Sequence, residues 1–429
     1  MKPIKTNIFL ALIAAMLIMN SCTTEAITDC SNVVCPEGTV LAEIEGRCEC
    51  IGTATGNNVI SKAGFITENE TWTANSIYSL TGKVVVRSGA TLTIEPGTIV
   101  KGSEGTGTLA SALLVERGAK INACGTEDNP IIFTSILDDI SIGEKVGTNL
   151  DETQAGLWGG LIILGYAPSS FEGDATAFQI EGIPADDTFG LYGGTDPADD
   201  SGSLCYVSIR HGGALIGADN EINGLTLGGV GSGTTLNHIE IVANVDDGIE
   251  FFGGTCNMTN ALVWAQGDDA FDIDQGYSGT IDNFVYIAGT DSDHGLEIDG
   301  PEGSATGKFT MTNGTLKGLS AEMADFRKSA MGTVQNSYFF NFLPDGDLEI
   351  DDNESSANFF NGDLQITNVE FNTTATLASI CNDTADAGDD AAFDAKIAET
   401  NAIATTPSTG ANTSVFGWTM ASSKSAINF

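Results

Sequence analysis

The chain has 429 residues, and its 58 Asp and Glu against 17 Lys and Arg leave a formal net charge of −41. Phosphate recognition needs basic patches, so this balance argues against nucleic acid and favours cations and neutral or basic surfaces as partners. Gly is abundant at 52 residues and Pro scarce at 10. Short β-rich runs broken by Gly, Asn, Asp and Ser take the place of long helical stretches, which reads as all-β.

Residues 1–21 read as a secretory signal peptide, with Lys2 and Lys5 ahead of an apolar run too short to span a membrane. The run ends in Ile18-Met19-Asn20-Ser21-Cys22, which resembles a bacterial lipobox. That resemblance implies lipidation of Cys22 and a membrane tether of one N-terminal lipid anchor over residues 22–29; a plain secretory signal is the alternative. The polar Thr23-Thr24-Glu25 is similar to export signals of surface lipoproteins, which places the chain on the outer membrane, exposed at the cell surface. Cys30, Cys35, Cys48 and Cys50 follow within 21 residues and resemble half of an EGF-like module. In an oxidising compartment two disulfides are expected there, with three connectivities open. Cys124, Cys205, Cys256 and Cys381 are dispersed, and the sequence does not pair them.

Residues 53–64 read as a linker, and from Trp72 the chain becomes repetitive. Val84-Val85-Val86-Arg87-Ser88-Gly89-Ala90 is echoed by Leu113-Leu114-Val115-Glu116-Arg117-Gly118-Ala119 at a step of 29 residues. Residues 136–203 hold a coil with a long excursion. Beyond them, short strands open with Asn237, Asn260, Asn283, Asn313, Asn336 and Asn368, at steps of 23, 23, 30, 23 and 32 residues. A constant step with occasional longer ones is what solenoid coils with loop insertions produce. Cys205 opens a matching segment 32 residues earlier. Asn tolerates the left-handed backbone of a coil corner, and equivalent amides can bond along a stack spaced at about 4.8 Å. A second strand follows in each coil, as in Ile249-Glu250-Phe251, Phe271-Asp272-Ile273, Leu296-Glu297-Ile298 and Leu348-Glu349-Ile350. Period-two alternation turns the central acid outward, so these acids form a column. Phe326-Arg327 is expected at the equivalent place in its own coil, as a cation between acidic rungs. The pattern predicts a right-handed parallel β-helix over residues 65–376 behind a Cys-rich knot at 30–52. A capping segment, 377–429, then follows, with a short helix from Asp389 to Thr400 and Phe416-Gly417-Trp418 tucked over the last coil.

With those repeats in view, the chain resembles a family of Bacteroidota exported lipoproteins with a pectate-lyase-like β-helix and no assigned activity. The resemblance covers roughly residues 65–375 and rests on segments such as Gly89-Ala90-Thr91-Leu92-Thr93-Ile94-Glu95-Pro96-Gly97-Thr98, Leu157-Trp158-Gly159-Gly160, Val207-Ser208-Ile209-Arg210-His211-Gly212-Gly213, Asp246-Asp247-Gly248-Ile249-Glu250-Phe251 and Gly267-Asp268-Asp269-Ala270-Phe271-Asp272.

Counting from each strand opening brings Asp246 with Asp247, Asp268 with Asp269, Asp291 with Asp293 and His294, and Asp345 into one lateral register, an acidic stripe. Arg210 and His211 are expected as a basic, substrate-binding patch at its end. Three readings of the stripe stand side by side. Asp in tight corners accepts backbone N–H bonds for purely structural reasons. Carboxylates converging from stacked loops suit Ca²⁺, with Asp246, Asp247, Asp268, Asp269, Asp291 and Asp293 as ligands. The order Asp247-Gly248, Asp268-Asp269, His294-Gly295 also resembles polygalacturonases. That likeness implies inverting hydrolysis with Asp247 against Asp268 or Asp269 as acid and base, supported by His294. No Arg-x-Lys follows His294, and for a lyase only Arg210 stands out as a cationic base. Trp158 and Trp264 suit either sugar stacking or the coil interior. The expected partner is a polysaccharide or cell-surface glycan, with Ca²⁺ as the candidate cofactor and a pectinase-like hydrolase or lyase as the alternative.

Overall fold

The computed structural model describes residues 39–44, 47–52 and 58–429, apart from 185–186, 215–221, 345 and 386–389. The chain divides into two units, residues 1–56 and 57–429. In the first, Thr39–Ile44 and Arg47–Gly52 pair as an antiparallel hairpin, with Cys48 and Cys50 on the second strand. The leader, Cys22, the tether, Cys30 and Cys35 lie outside the described residues, as does Asp345.

The second unit is a parallel β-helix whose strands stack on three faces. The first face runs through Glu70–Trp72, Thr91–Ile94 and Lys120–Cys124 and continues in the leading halves of Gly202–Arg210, Thr235–Val242, Asn257–Trp264, Thr280–Ile287 and Phe309–Lys317. The trailing halves of those long strands stack on the second face with Ile99–Gly102 and Ile131–Ser135. The third face is built from Ala112–Val115, Leu161–Leu164, Leu225–Gly228, Ile249–Phe252, Phe271–Asp274, His294–Asp299, Glu322–Arg327, Leu348–Ile350 and Cys381–Asp383. Pairing begins at Val59, inside the segment expected as a linker, and continues to Ile403, past the expected limit of 376.

Alternation fills the interior. On the third face Leu161, Leu225, Ile249, Phe271, Leu296, Ala324 and Leu348 are successive register partners, all at most 1% exposed. Burying each large apolar side chain contributes about 1.5–3 kcal/mol, so the stack itself is the core.

Each bend between the first and second faces needs one left-handed residue. Asn260, Asn283, Asn313, Asn336 and Asn368 hold it with φ of 53–59°. Their amides bond along the stack, Asn283 Nδ2 donating to Asn260 Oδ1 at 2.7 Å and Asn260 Nδ2 to Asn237 Oδ1 at 3.0 Å. Two expected registers shift by one. Asn237 and Cys205 are the residues before the bend; His238 and Tyr206 occupy it, with φ of 56° and 50°. Their rings stack at 4.1 Å, so aromatic contact takes over where the amide ladder ends.

The excursion is double. Residues 136–160 pack Ile140 on Ile77, Ile99 and Ile132 of the second face. Residues 165–201 lay Phe171, Ile180, Ile183, Phe189 and Tyr192 over Val85, Leu114 and Ile162, outward positions of the early third face. Those positions are apolar because they are covered; later outward positions are acidic. Cys124 and Cys205, adjacent register partners, are joined by a disulfide across the excursion. Among the described residues Cys256 and Cys381 are free, and both are buried.

At the C-terminal end α1 (Asn353–Asn361), α2 (Leu377–Ile380) and α3 (Asp390–Thr400) close the coil, with Phe359 against Phe393 at 5.1 Å. The helix expected up to Thr400 is therefore present. The end of the chain does not tuck over the last coil. It runs back along the second face, Gly410 N–H donating to Asn336 O and Asn412 N–H to Asn283 Oδ1. There Phe416, Met420 and Ala421 cover Val242, Leu262 and Val285, and Trp418 meets Tyr206 edge-on at 5.5 Å. A four-residue helix, α4 (Met420–Ser423), ends this strap on Glu240.

Candidate functional site

The turns entering the third face and its outward strand positions form one acidic surface. Asp247, Asp269, His294 and Glu322 follow one another coil by coil at the mouth of the face. Asp269 N–H donates to Asp247 Oδ1 at 3.0 Å, His294 N–H to Asp269 Oδ1 at 2.9 Å, and His294 pairs with Glu322 in strand register. Three residues further along each strand stands a second column, Glu250, Asp272, Glu297, Asp325 and Glu349. The residue equivalent to Glu297 is therefore Asp325, and Arg327 stands two positions beyond it. Arg327 reaches back to Glu297, to Asp299 at 2.7 Å and to Asp325 at 3.4 Å, so the expected charge relief is present from a neighbouring register. Lys328 also pairs with Asp299.

Three groups bring their ligand atoms within 4.8 Å of one another: Asp246, Asp247 and Asp268; Asp247, Glu250 and Asp272; and Asp269, His294 and Glu297. Asp247, Asp269 and Glu250 are buried, Asp246 is half-buried and Asp268 is exposed. Burial, reinforced by neighbouring carboxylates, pushes Asp247, Glu250 and Asp272 well above the usual carboxylate range. The same causes, with Asp269 and Asp293 as the neighbours, push Asp268 up to about 6. Among the described residues the buried Oδ1 atoms of Asp272 and Asp325 find no hydrogen-bond partner. His294 is the countercharge of the middle coils. Its Nδ1 lies 2.9 Å from Asp269 Oδ1 and 3.6 Å from Asp293 Oδ2, and its Nε2 lies 3.6 Å from Glu322 Oε2. Burial alone would lower its pKa, but the bond to Asp269 and the charges of Asp269, Asp293 and Glu322 raise it to about 9. The ring is an imidazolium at neutral pH and staples three successive coils.

A Ca²⁺ ion takes oxygen ligands at about 2.3–2.6 Å, so opposite ligands stand about 4.8 Å apart. The all-oxygen group Asp246, Asp247 and Asp268 fits that span and has one exposed member through which an ion can arrive. The His294 group, already bonded through Nδ1, is a poorer match for a hard cation. The same spacing bears on hydrolysis. One oxygen each of Asp247 and Asp268 stand within 4.8 Å, whereas an inverting pair holds its two carboxyl groups roughly 6.5–9.5 Å apart.

The other expected site residues are dispersed. Asp291 and Asp293 are exposed beside the stripe. Arg210 and His211, each 1% exposed, lie on the second face beneath the excursion and do not reach the acidic surface. Arg210 donates from Nε to Ser208 Oγ and from Nη1 to Lys145 O, while His211 Nδ1 meets Gln154 O at 2.7 Å. Trp158 is interior, its indole N–H donating to Arg210 O. Glu250, Asp272, Glu297 and Glu322 belong to the site but were not among its expected members. One signal identifies the first three, an acid three residues after each turn position, as in 247 and 250, 269 and 272, and 294 and 297; Glu322 is itself a turn position, with Asp325 three residues on.

Among the described residues no helix is long and apolar enough to cross a membrane. No curated protein and no solved structure matches the chain. Residues 64–422 match the model of the pectate-lyase-like β-helix domain, and the chain belongs to that family.

Proposed function

We propose that this is an exported protein, tethered through a lipid on Cys22 at the outer-membrane surface, that presents its acidic face for Ca²⁺-dependent binding of a glycan. The observation that carries the reading is the convergence of Asp246, Asp247 and Asp268 oxygens within 4.8 Å at a partly open turn. Carboxylates held this close repel one another, and a divalent cation relieves that repulsion while leaving coordination positions for sugar hydroxyls or carboxylates. Family membership supports a carbohydrate ligand. The test is calorimetric titration with Ca²⁺, followed by glycan binding with and without chelator. Ca²⁺ binding weakened at least ten-fold by Asp268→Asn supports the reading; no heat and no shift in melting temperature overturn it.

A second reading, polysaccharide hydrolysis or lysis, is favoured by Asp268 alone, whose carboxyl near 6 is suited to general acid catalysis close to neutral pH. Reproducible product release from acidic or neutral polysaccharides, abolished in Asp268→Asn, would replace the binding reading.

A further inference from the structure

A groove of about 370 Å³ opens at the corner between the second and third faces, beside the acidic turns and apart from the three carboxylate groups. That volume is at the small end of ligand sites, roughly 300–1,000 Å³. Its wall is Trp264, which is 6% exposed, whereas Trp72, Trp158 and Trp418 are each 0% exposed. The indole packs in one apolar cluster with residues of the second face, the excursion and the C-terminal strap, and its N–H forms no hydrogen bond among the described residues. Glu152, from the excursion, and Asp291, from the turn of a later coil, face the same space. Neither carboxylate has a hydrogen bond or ion pair among the described residues, and no Lys or Arg lines the groove. Thr153 and Thr290 add hydroxyl groups at its edge.

This lining selects by charge and shape. Two unpaired carboxylates on a chain of net charge −41 repel uronates, sulfates and phosphates. An aromatic edge beside an apolar floor takes the carbon face of a sugar, while a free indole N–H and hydroxyls meet its hydroxyl groups. An ammonium that meets either carboxylate forms charge-assisted hydrogen bonds, roughly twice as strong as neutral ones. We propose that this groove is a binding site for an amino sugar, a hexosamine unit carrying a free amine. It is independent of the Ca²⁺ reading, because it shares no residue with the three carboxylate groups.

The test is titration of the full chain, in the presence of a chelator, with a glucosamine trimer and with its N-acetylated counterpart, followed by calorimetry and tryptophan emission. Trp264 is the reporter, since the other three indoles are sealed. The free-amine trimer is expected to bind and shift the emission, with at least ten-fold preference over the acetylated trimer. Glu152→Gln with Asp291→Asn is expected to weaken it at least ten-fold at an unchanged melting temperature, Glu152 being half-buried, Asp291 exposed, and neither carboxylate paired. Equal binding of the two trimers, no binding of the free-amine trimer, or undiminished binding by the double variant overturns the proposal. Because Ca²⁺ is absent throughout, failure of the Ca²⁺ reading leaves these outcomes unchanged, and the double variant separates binding in the groove from attraction to the other carboxylates.

Discussion

Glu240 fastens the end of the chain to the coil, and replacing it with Gln tests how much of the strap depends on one buried charge. Its carboxylate is 0% exposed and accepts from Met420 N–H at 3.0 Å, Ala421 N–H at 2.9 Å and Ser208 Oγ at 2.6 Å. Arg210 Nη2 stands 3.6 Å away and makes no hydrogen bond of its own. In Glu240→Gln the amide can serve only one of the two backbone donors, and a hydrogen bond to a charged group contributes about 1.5–3 kcal/mol. Arg210 also loses the nearer of its two countercharges, Asp138 being the other, and breaking a buried pair in this way costs up to about 3–5 kcal/mol. The two terms overlap, so a total near 3–5 kcal/mol is expected. If the strap opens as a local unit, 3 kcal/mol raises its open population about 100-fold. Trypsin cleavage after the exposed Lys424, followed by mass spectrometry under native conditions, reads that population directly. Pairing the substitution with Arg210→Met should restore part of the loss, because no unpaired buried charge remains. A change of less than about three-fold in cleavage rate, or a double variant that is fully additive, refutes the reasoning.

Stability should fall between pH 5 and pH 9. Burial and repulsion raise Asp274 and Asp325 to about 7, so their contribution is complete below the unfolded value of about 4 and lost as pH rises through 7. His294 adds stability that is complete below about 6.5 and lost as pH rises through about 9; a melting temperature that climbs across this window contradicts the assignment. Asn283→Ala removes the bonds to Asn260 Oδ1 and from Asn412 N–H and places Ala at φ 59°, for a combined cost of about 2–4 kcal/mol by chemical denaturation. Asn283→Gly should recover the backbone part of that loss and not the hydrogen bonds. Replacing Cys124 and Cys205 by Ser opens a cross-link 81 residues apart, and loop-closure entropy sets the expected loss at up to about 4.5 kcal/mol. A stability difference below 1 kcal/mol between the oxidised protein and this variant would show that the stacked coils already hold the excursion.

The coil was legible because its causes are local and repeat. Alternating Ile-Glu-Phe and Phe-Asp-Ile tripeptides fix which side chains point inward, and Asn at a left-handed corner marks where each coil turns. The one-residue slip at Asn237 and Cys205 arose because His238 and Tyr206 fill the corner by ring stacking, which leaves no amide signature. The placing of Arg327 failed for a related reason: its coil keeps an acid, Asp325, in the column, while the guanidinium reaches back from the neighbouring register. Arg210 and His211 looked like surface chemistry until an excursion and a returning strap, both distant in sequence, covered them. The spacing of residues along one strand thus determined the solenoid, its interior and its acidic column. Only the tertiary structure decided which of those polar groups remain open to a ligand, because coverage depends on where insertions of no fixed period come to rest.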